Sequence, residues 1–233
     1  MGTTALVLLS GGMDSMVALW WALDATYDQY EALTFIYGSR EEKVSTECAR
    51  NIADRAGIEH RLLELAVLKK ISKGHSALMA DGPEVPDGLG STGSVWVPGR
   101  NLVLLSVAGS YAEVMGGAVD VIVGFDEEEA RTFPDNSKRF VENLNHTLAD
   151  SVIEGEVKVV APLIGLDKAG IAGLSFEMDV PVELSCSCYR PAGFSGGLPV
   201  HCGRCQSCIL RRRGFALAGV RDPSCYEVEL SGR

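Results

Sequence analysis

The stretch SGGMDS, residues 10–15, decides the fold. An apolar run typical of a strand precedes it at residues 5–9, and a helical pattern follows over residues 13–23. A strand, a glycine-containing turn and a helix start together present backbone N–H groups to an anion, and the glycines let a phosphate approach the backbone closely. The stretch therefore predicts a phosphate-binding turn, to which Ser10 and Ser15 add hydroxyl donors.

Asp14 distinguishes this turn from the Walker A loop. A Walker A loop requires Gly-x4-Gly-Lys followed by Ser or Thr, and this chain lacks that pattern at residues 10–15. A carboxylate suits a phosphate site only if it ligates Mg²⁺ or caps the helix. The string Ser-Gly-Gly-x-Asp-Ser resembles the PP-loop of ATP pyrophosphatases. That resemblance implies that the turn binds the pyrophosphate part of ATP and that the enzyme adenylates a substrate oxygen.

Composition limits the classes of function. The 233 residues are 46% hydrophobic and 22% charged, which suits one well-filled domain, and no apolar stretch is long enough to span a membrane. The formal net charge of −10 argues against nucleic-acid binding, which needs a basic surface. The dense basic run at residues 211–213 is interpreted as a solvated helix face. No secretion signal is recognised, so we expect a cytoplasmic protein whose cysteines stay reduced.

Strand-like and helical patterns alternate along the first two thirds of the chain. Such alternation predicts an α/β fold with a doubly wound parallel five-stranded sheet, PP-loop or HUP-like, that binds ligands at the carboxyl ends of its strands. Residues 67–97 are rich in Gly, Pro, Ser and Asp and predict a mobile flap. We predict an ATP pyrophosphatase domain over residues 1–180 and a small cysteine-rich, zinc-binding lobe over residues 181–233. The predicted strands are residues 5–9, 32–37, 60–65, 119–123 and 157–160, and the predicted helices are residues 13–23, 41–56, 100–115 and 134–151.

Cysteines in the carboxyl-terminal part have the spacing of a metal site. Cys202, Cys205 and Cys208 are each separated by two residues, and Cys188 lies upstream across a glycine-containing loop. Four thiolates from two segments suit tetrahedral, structural Zn²⁺. An iron–sulfur cluster is the alternative, because short C-x2-C-x2-C runs also ligate iron. The spacing leaves open whether Cys186 or Cys188 supplies the fourth thiolate.

Further motifs make the chain similar to one family of ATP pyrophosphatases. They occur in one order and cover nearly the whole chain, from residue 10 to about residue 216. Together they resemble the motifs of the 7-cyano-7-deazaguanine synthase (QueC) family. The motifs are SGGMDS at 10–15, YGSR at 37–40, VPGRN at 97–101, LNH at 144–146, PL at 162–163, DKA at 167–169, CY at 188–189 and C-x2-C-x2-C at 202–208.

The resemblance implies an ATP-dependent C–N ligase of queuosine biosynthesis that releases AMP and pyrophosphate. Members of this family adenylate 7-carboxy-7-deazaguanine, form the amide with ammonia, and use a second ATP to convert the amide to 7-cyano-7-deazaguanine. The implied cofactors are ATP, Mg²⁺ and structural Zn²⁺, and the family precedent implies a homodimer. No nucleic acid or membrane partner is expected.

The resemblance also assigns roles to individual residues. Asp14, Arg100 and Lys168 are the expected catalytic residues, with Asp14 oriented toward Mg²⁺. The expected ATP-binding residues are Ser10, Gly11, Gly12, Met13, Asp14, Ser15, Arg40 and Arg100, and the expected zinc ligands are Cys188, Cys202, Cys205 and Cys208. The expected substrate-binding residues are Tyr37, Glu127, Glu129, Phe133 and Asp135.

The chain departs from the family pattern where the deazaguanine is expected to bind. In residues 124–137, Glu129 replaces Asp and Phe133 replaces Tyr, and elsewhere Ile36 stands in place of Asp and Glu41 in place of His. An alternative function is therefore a divergent enzyme that stops at the amide or joins the acid to another amine, such as a protein amino group in an antiphage system. A PP-loop tRNA thiolase is a third interpretation, which the acidic charge disfavours.

Overall fold

Five parallel strands form the central sheet. The structure, a computed structural model, describes residues 2–90 and 93–227. Three short parts of the predictions lie outside the described residues: residue 1 of the predicted domain, residues 91–92 of the predicted flap and residues 228–233 of the predicted lobe. The strands are β1 (Thr3–Leu8), β2 (Gln29–Ile36), β3 (Glu59–Glu64), β4 (Ala118–Ile122) and β5 (Glu156–Val160), in the order β3-β2-β1-β4-β5. The five strands predicted from the sequence are confirmed, with bounds that differ by up to three residues.

Helices cover both faces of the sheet, as predicted for a doubly wound fold. Ala5 and Val7 of β1 face one apolar cluster, whereas Leu6 faces the other, because side chains alternate along a strand. The first cluster contains residues of α1, α2 and α7, and the second contains residues of α4 and α6. The helices of the described residues are α1 (Met13–Asp24), α2 (Glu42–Ala56), α3 (Ala66–Ile71), α4 (Arg100–Met115), α5 (Glu127–Thr132), α6 (Lys138–Ser151), α7 (Lys168–Glu177) and α8 (Gln206–Ala218).

Two helix predictions need correction. The helix predicted from residue 134 begins at Lys138, because residues 134–136 form a 3-10 turn and the Ser137 hydroxyl caps α6 by accepting the Phe140 N–H. The predicted helices also lack α3, α5, α7 and α8. Asp167 caps α7 by accepting the Gly170 N–H at 2.8 Å. Both starts depend on a capping side chain rather than on the apolar pattern.

The flap (residues 67–97) packs against the domain along much of its described length. It starts within α3, and the side chains of Ala77, Leu78 and Met79 are buried. The Arg40 guanidinium donates hydrogen bonds to the backbone carbonyls of Ala77 at 3.1 Å, Gly82 at 3.0 Å and Pro83 at 2.9 Å. The mobility of the flap stays a prediction.

The carboxyl-terminal part contains α8 and a small sheet of β6 (Gly193–Ser195), β7 (Leu198–His201) and β8 (Cys225–Tyr226). It packs on the larger domain through α7 and α8, which approach so closely that a Cβ at Gly214 would lie 2.7 Å from the Lys168 carbonyl oxygen. The division at residues 180 and 181 stays a prediction.

The basic run on α8 differs from the predicted solvated face. Arg211 is buried, donates to the Ser185 hydroxyl at 2.8 Å and the Val182 carbonyl at 3.0 Å, and pairs with Asp222. Only Arg213 of the run is exposed. The interpretation was wrong for Arg211 because the segment before the cysteines covers that side of α8. No helix of the described residues is long and apolar enough to cross a membrane.

Candidate active site

The PP-loop (residues 10–15) lies where β1 ends and α1 begins, beside the carboxyl end of β4. This is the point at which neighbouring strands connect in opposite directions, where open α/β sheets bind ligands. Gly11 has a φ of +81°, and a Cβ there would collide with the Ser45 carbonyl. A Cβ at Gly124, just after β4, would lie 2.6 Å from the Ser15 nitrogen. Both glycines are therefore required for the backbone to reach this conformation.

Hydrogen bonds within the PP-loop set its shape. The hydroxyls of Ser10 and Ser15 lie 3.0 Å apart, and the Ser15 hydroxyl donates to the Gly12 carbonyl at 3.0 Å. Gly12 is the N-cap of α1 and supplies no capping side chain. The first N–H groups of a helix have no partner within the helix, so those of α1 suit an anion. Met13 is buried in the core, so only its backbone can contribute to ATP binding.

Lys168 is surrounded by three carboxylates at the end of the PP-loop. Its Nζ lies 2.8 Å from Asp14 Oδ2, 2.7 Å from Asp126 Oδ2 and 3.8 Å from Glu129 Oε1. Burial opposes the charge on Lys168, but the carboxylates outweigh burial and raise its pKa well above the ordinary value. Lys168 therefore stays charged at neutral pH. We call these four residues the acid–lysine cluster.

The sequence analysis missed Asp126, the buried member of the acid–lysine cluster. Asp126 accepts the Glu129 N–H at 2.8 Å and thereby caps α5. The short α5 places Glu129 on the cavity, where burial raises its pKa to about 7 although Lys168 acts in the opposite direction. The sequence contains a signal for the helix cap, because Asp126 and Glu129 have the spacing of a capping box, but it contains none for the contact of Asp126 with Lys168.

The acid–lysine cluster also offers oxygen ligands for a metal ion. One carboxylate oxygen from each of Asp14, Asp126 and Glu129 lies within 4.8 Å of the others. Asp14 Oδ1 is buried and has no hydrogen-bond partner within residues 2–90 and 93–227. Carboxylate oxygens are the protein ligands that Mg²⁺ prefers. The free oxygen of Asp14 therefore fits the predicted role of this residue toward a divalent cation.

A cavity of about 260 Å³ opens beside the PP-loop. Arg100, the first residue of α4, lines it together with Tyr37, and the Arg100 guanidinium donates to the Tyr37 hydroxyl at 3.5 Å. Burial raises the pKa of Tyr37, whereas burial of Arg100 is outweighed by Tyr37 and Glu129, which raise the pKa of Arg100. Arg100 therefore presents a permanent positive charge near the PP-loop.

A smaller cavity of about 70 Å³ lies next to Arg100. The rings of Trp96 and Phe133 line it and stack on each other, with centroids 5.4 Å apart and planes 11° apart. Trp96 was not singled out in the sequence, because a lone tryptophan in a polar stretch gives no signal for a site. The stacking places Phe133 beside the cavity, and its predicted contact with the substrate stays a prediction.

Six of the predicted catalytic, ATP-binding and substrate-binding residues lie outside the lining of both cavities, namely Gly11, Met13, Lys168, Arg40, Glu127 and Asp135. Arg40 donates to flap carbonyls, and Glu127 forms an exposed ion pair with Arg131 at 2.8 Å. Asp135 is buried and accepts the Asn101 N–H at 3.3 Å, which links the loop after α5 to α4. The predicted roles of these residues in ATP or substrate binding stay predictions.

Four cysteine sulfurs come together in the carboxyl-terminal part. Cys188, Cys202, Cys205 and Cys208 are buried, and their sulfurs lie within 4.8 Å of one another. Individual separations are 4.0, 3.9 and 3.4 Å, close to the roughly 3.8 Å expected for ligands about 2.3 Å from one tetrahedral ion. Cys186 lies outside this group, so the arrangement favours Cys188 over Cys186 as the fourth predicted ligand. The spacing leaves room for one ion rather than for a cluster of several iron atoms.

Comparison with known proteins places this arrangement in a family. Residues 4–219 match the family model described as "Queuosine biosynthesis protein QueC". The chain belongs to the QueC family. It is 43% identical over 235 residues to the 7-cyano-7-deazaguanine synthase of Pyrococcus furiosus, covering 96% of this chain and 97% of that protein. It is 45% identical over 233 residues to the protein of the same name from Methanothermobacter thermautotrophicus, covering 95% of this chain and 98% of that protein.

Solved structures give a weaker likeness than these QueC relatives. The U34-tRNA thiolase NcsA from Methanococcus maripaludis, solved with its [4Fe-4S] cluster, aligns with a TM-score of 0.45 and 13% identity. The alignment covers 100% of this chain and 76% of the thiolase chain.

Proposed function

We propose that this protein converts 7-carboxy-7-deazaguanine to 7-cyano-7-deazaguanine with ATP and ammonia, by way of an acyl adenylate and the amide. The observation that carries the proposal is the PP-loop beside Arg100 and Lys168 in a chain 43% and 45% identical to relatives named 7-cyano-7-deazaguanine synthase. A carboxylate oxygen is a poor leaving group, whereas AMP is a good one. Activation by ATP is therefore the step that the reaction needs first.

In the first step, an oxygen of the substrate carboxylate attacks the α-phosphorus of ATP. The new P–O bond forms as the bond to pyrophosphate breaks, and pyrophosphate keeps the electron pair. The N–H groups at the start of α1 bind the pyrophosphate, while Arg100 and Lys168 offset the negative charge of the reacting phosphates. Mg²⁺ held through Asp14 would add positive charge at the same place. Ammonia then displaces AMP from the acyl carbon, which gives the amide.

In the second step, the amide oxygen attacks another ATP and leaves with AMP. The amide nitrogen loses both of its protons as the C–O bond breaks, and the carbon–nitrogen triple bond of the nitrile remains. The same PP-loop and the same two cations serve both adenylations, because each places negative charge on a phosphate in the same position. The four-cysteine group holds Zn²⁺ as a structural ion that fixes the start of α8 to the Cys188 segment.

The proposed base pocket lies between the PP-loop and the flap. The Glu129 carboxylate accepts hydrogen bonds from the N–H edge of the deazaguanine, and the flat rings of Trp96 and Phe133 suit a planar bicyclic base. The Tyr37 hydroxyl accepts a hydrogen bond from Arg100 and directs the guanidinium toward the substrate carboxylate or the phosphates. Glu127 and Asp135 support this pocket from α5 and the loop after it. We further propose that the enzyme works as a cytoplasmic homodimer.

The thiolase interpretation is disfavoured by the thiol that lines the main cavity. Thiol transfer needs a reactive thiolate in the cleft, and Cys186 is the cavity cysteine outside the four-cysteine group. Burial raises the pKa of the Cys186 thiol to about 12, so little thiolate is present at neutral pH. The alternative that stops at the amide, or transfers the acid to a protein amine, has no support in the names of the relatives.

Product analysis tests the proposal. The protein is incubated with ATP, Mg²⁺, 7-carboxy-7-deazaguanine and ammonia, and the base products and AMP are measured by mass spectrometry. We expect the nitrile from the unmodified protein, no AMP from Asp14→Asn, and unchanged turnover from Asp24→Asn, an exposed position at the other end of α1. The amide as the final product would favour the divergent alternative. Absence of AMP with the acid would exclude both functions.

A further inference from the structure

Four acids line the main cavity, and two of them lie beside Lys168. The acids are Asp14, Glu41, Glu42 and Glu129. Lys168 lies near Asp14 and Glu129, and a backbone N–H donates to Glu42. Glu41 forms no ion pair with any cation of the described residues. Glu42 likewise forms no ion pair with a cation of the described residues, and Glu41 differs from it in having a buried oxygen without a hydrogen-bond partner.

One oxygen of Glu41 has no partner. The Ser39 side chain and the Glu41 backbone both act to lower the pKa of the Glu41 carboxyl. Oε2, however, is buried and has no hydrogen-bond partner within residues 2–90 and 93–227. A buried carboxylate oxygen without a donor is costly, because it has lost its water and gained no partner, so its presence in a native structure needs an explanation. The geometry thus points to a ligand that brings a proton donor.

Charged and titratable groups from several elements face Glu41. Burial raises its pKa to about 7, Arg100 of α4 acts to lower the pKa, and Glu42 of α2 acts to raise it. Tyr37 on the loop after β2 and Cys186 on the segment before the four-cysteine group also interact with its charge. Near neutral pH the carboxylate is thus present in both protonation states, as suits a group that accepts and releases protons.

The proposed reaction requires a base for its nitrogen substrate. At neutral pH ammonia is almost entirely ammonium, which has no free electron pair and cannot attack the acyl carbon. A carboxylate in a cavity can both attract this small cation and remove one proton from it. None of the roles given above to Arg100, Lys168 or the PP-loop includes this step.

We propose that Glu41 binds ammonium in the main cavity and takes its proton, so that neutral ammonia attacks the acyl adenylate. Glu41 has this role only if the protein forms that adenylate, as the proposed function states. One proton passes from ammonium to Glu41 Oε2. The nitrogen electron pair then forms the C–N bond, the C–O bond breaks, and its electron pair leaves on AMP. The adduct formed from ammonia carries one N–H proton more than the amide, and this proton and the one on Glu41 both pass to solvent.

The test measures the activity of Glu41→Gln with two nitrogen nucleophiles, ammonium and hydroxylamine. Glu47→Gln, on the exposed side of α2, is the matched control. Hydroxylamine is uncharged at neutral pH and needs no prior deprotonation. With ammonium at pH 7 we expect the variant to lose about 100-fold in amide formation, the low end for general-base catalysis, and to require more ammonium. With hydroxylamine, hydroxamate formation should stay near the unmodified rate. Pyrophosphate exchange into ATP, which needs the acid but no ammonia, should also be unchanged.

The pH profile gives a second readout that a structural role would not produce. The unmodified enzyme should reach a plateau in its ammonium-dependent rate above about pH 7, where Glu41 is ionised. The rate of Glu41→Gln should instead follow free ammonia and rise about tenfold per pH unit.

Three results would overturn this role for Glu41. The first is an equal loss of rate with ammonium and with hydroxylamine. The second is a higher KM for the deazaguanine acid with an unchanged requirement for ammonium. The third is a plateau in the pH profile of the ammonium-dependent rate that persists in Glu41→Gln. Absence of acid-dependent pyrophosphate exchange in the unmodified protein would instead reject the proposed function itself, and the role of Glu41 with it.

Discussion

Replacing Lys168 by methionine removes the cation that offsets the buried acids beside the PP-loop. Asp126 is inaccessible to solvent and lies 2.7 Å from Lys168 Nζ, and Asp14 lies 2.8 Å from it. Removing one partner of a buried ion pair costs about 3–5 kcal/mol, because the remaining charge stays buried without a partner. At about 2–4 °C per kcal/mol for a chain of this size, the melting temperature should fall by roughly 6–20 °C.

The destabilisation of Lys168→Met should also depend on pH. Burial raises the pKa of Asp126, and loss of the lysine removes the main opposing charge. The folded variant then binds more protons than the unfolded chain, so its free energy of unfolding increases as the pH falls toward the ordinary carboxylate range. Adding Asp126→Asn to Lys168→Met should recover part of the lost stability, because the unpaired charge is gone.

The assays are thermal denaturation for the melting temperature and chemical denaturation for the free energy of unfolding, both followed by circular dichroism at fixed zinc concentration and over a range of pH. Lys138→Met is the matched control, because Lys138 pairs with Glu142 at 4.0 Å and both side chains are more than half exposed. Its expected cost is about 0–1 kcal/mol. If the free energy of unfolding of Lys168→Met lies within about 1 kcal/mol of the value for the unmodified protein at neutral pH, Lys168 does not neutralise the buried acids.

Two further substitutions probe the PP-loop and the metal group. Gly124→Ala should reduce acid-dependent AMP formation by on the order of 100-fold, because the new Cβ displaces the PP-loop backbone. Gly173→Ala is the control and should keep full activity, because a Cβ at Gly173 meets no atom within 4 Å. Equal activities would show that the close approach is unimportant. Cys208→Ser should lower the metal content from about one zinc per chain and expose α8 to proteolysis, whereas Cys225→Ser should retain the metal. Iron in the purified protein would reject the zinc assignment.

The central sheet could be predicted because most of its strands contain short apolar runs that alternate with helical patterns. Periodicity was insufficient where a polar side chain begins a helix. Asp167 and Asp126 each cap a helix that the apolar pattern does not reveal. The same limitation hid Asp126 from the predicted site, because its function depends on Lys168, 42 residues away in sequence.

The site itself was predicted unevenly. The PP-loop is one contiguous stretch, so its position followed from the strand and helix around it. The choice of Cys188 over Cys186 needed the structure, because spacing alone allows both. Arg211 looked like part of a solvated basic run, and only tertiary packing shows that it is buried against the segment before the cysteines. Sequence reasoning locates contiguous motifs but cannot say which distant groups meet.

Transfer of an oxygen isotope tests adenylation of the substrate carboxylate most directly. The protein is given ATP, ammonia and 7-carboxy-7-deazaguanine labelled with ¹⁸O in its carboxylate, and AMP and pyrophosphate are analysed by mass spectrometry. The carboxylate oxygen that attacks the α-phosphorus leaves with AMP when ammonia forms the amide, so AMP should carry ¹⁸O and pyrophosphate should carry none. Unlabelled AMP alongside product, or label in pyrophosphate, would contradict activation of the carboxylate at the PP-loop.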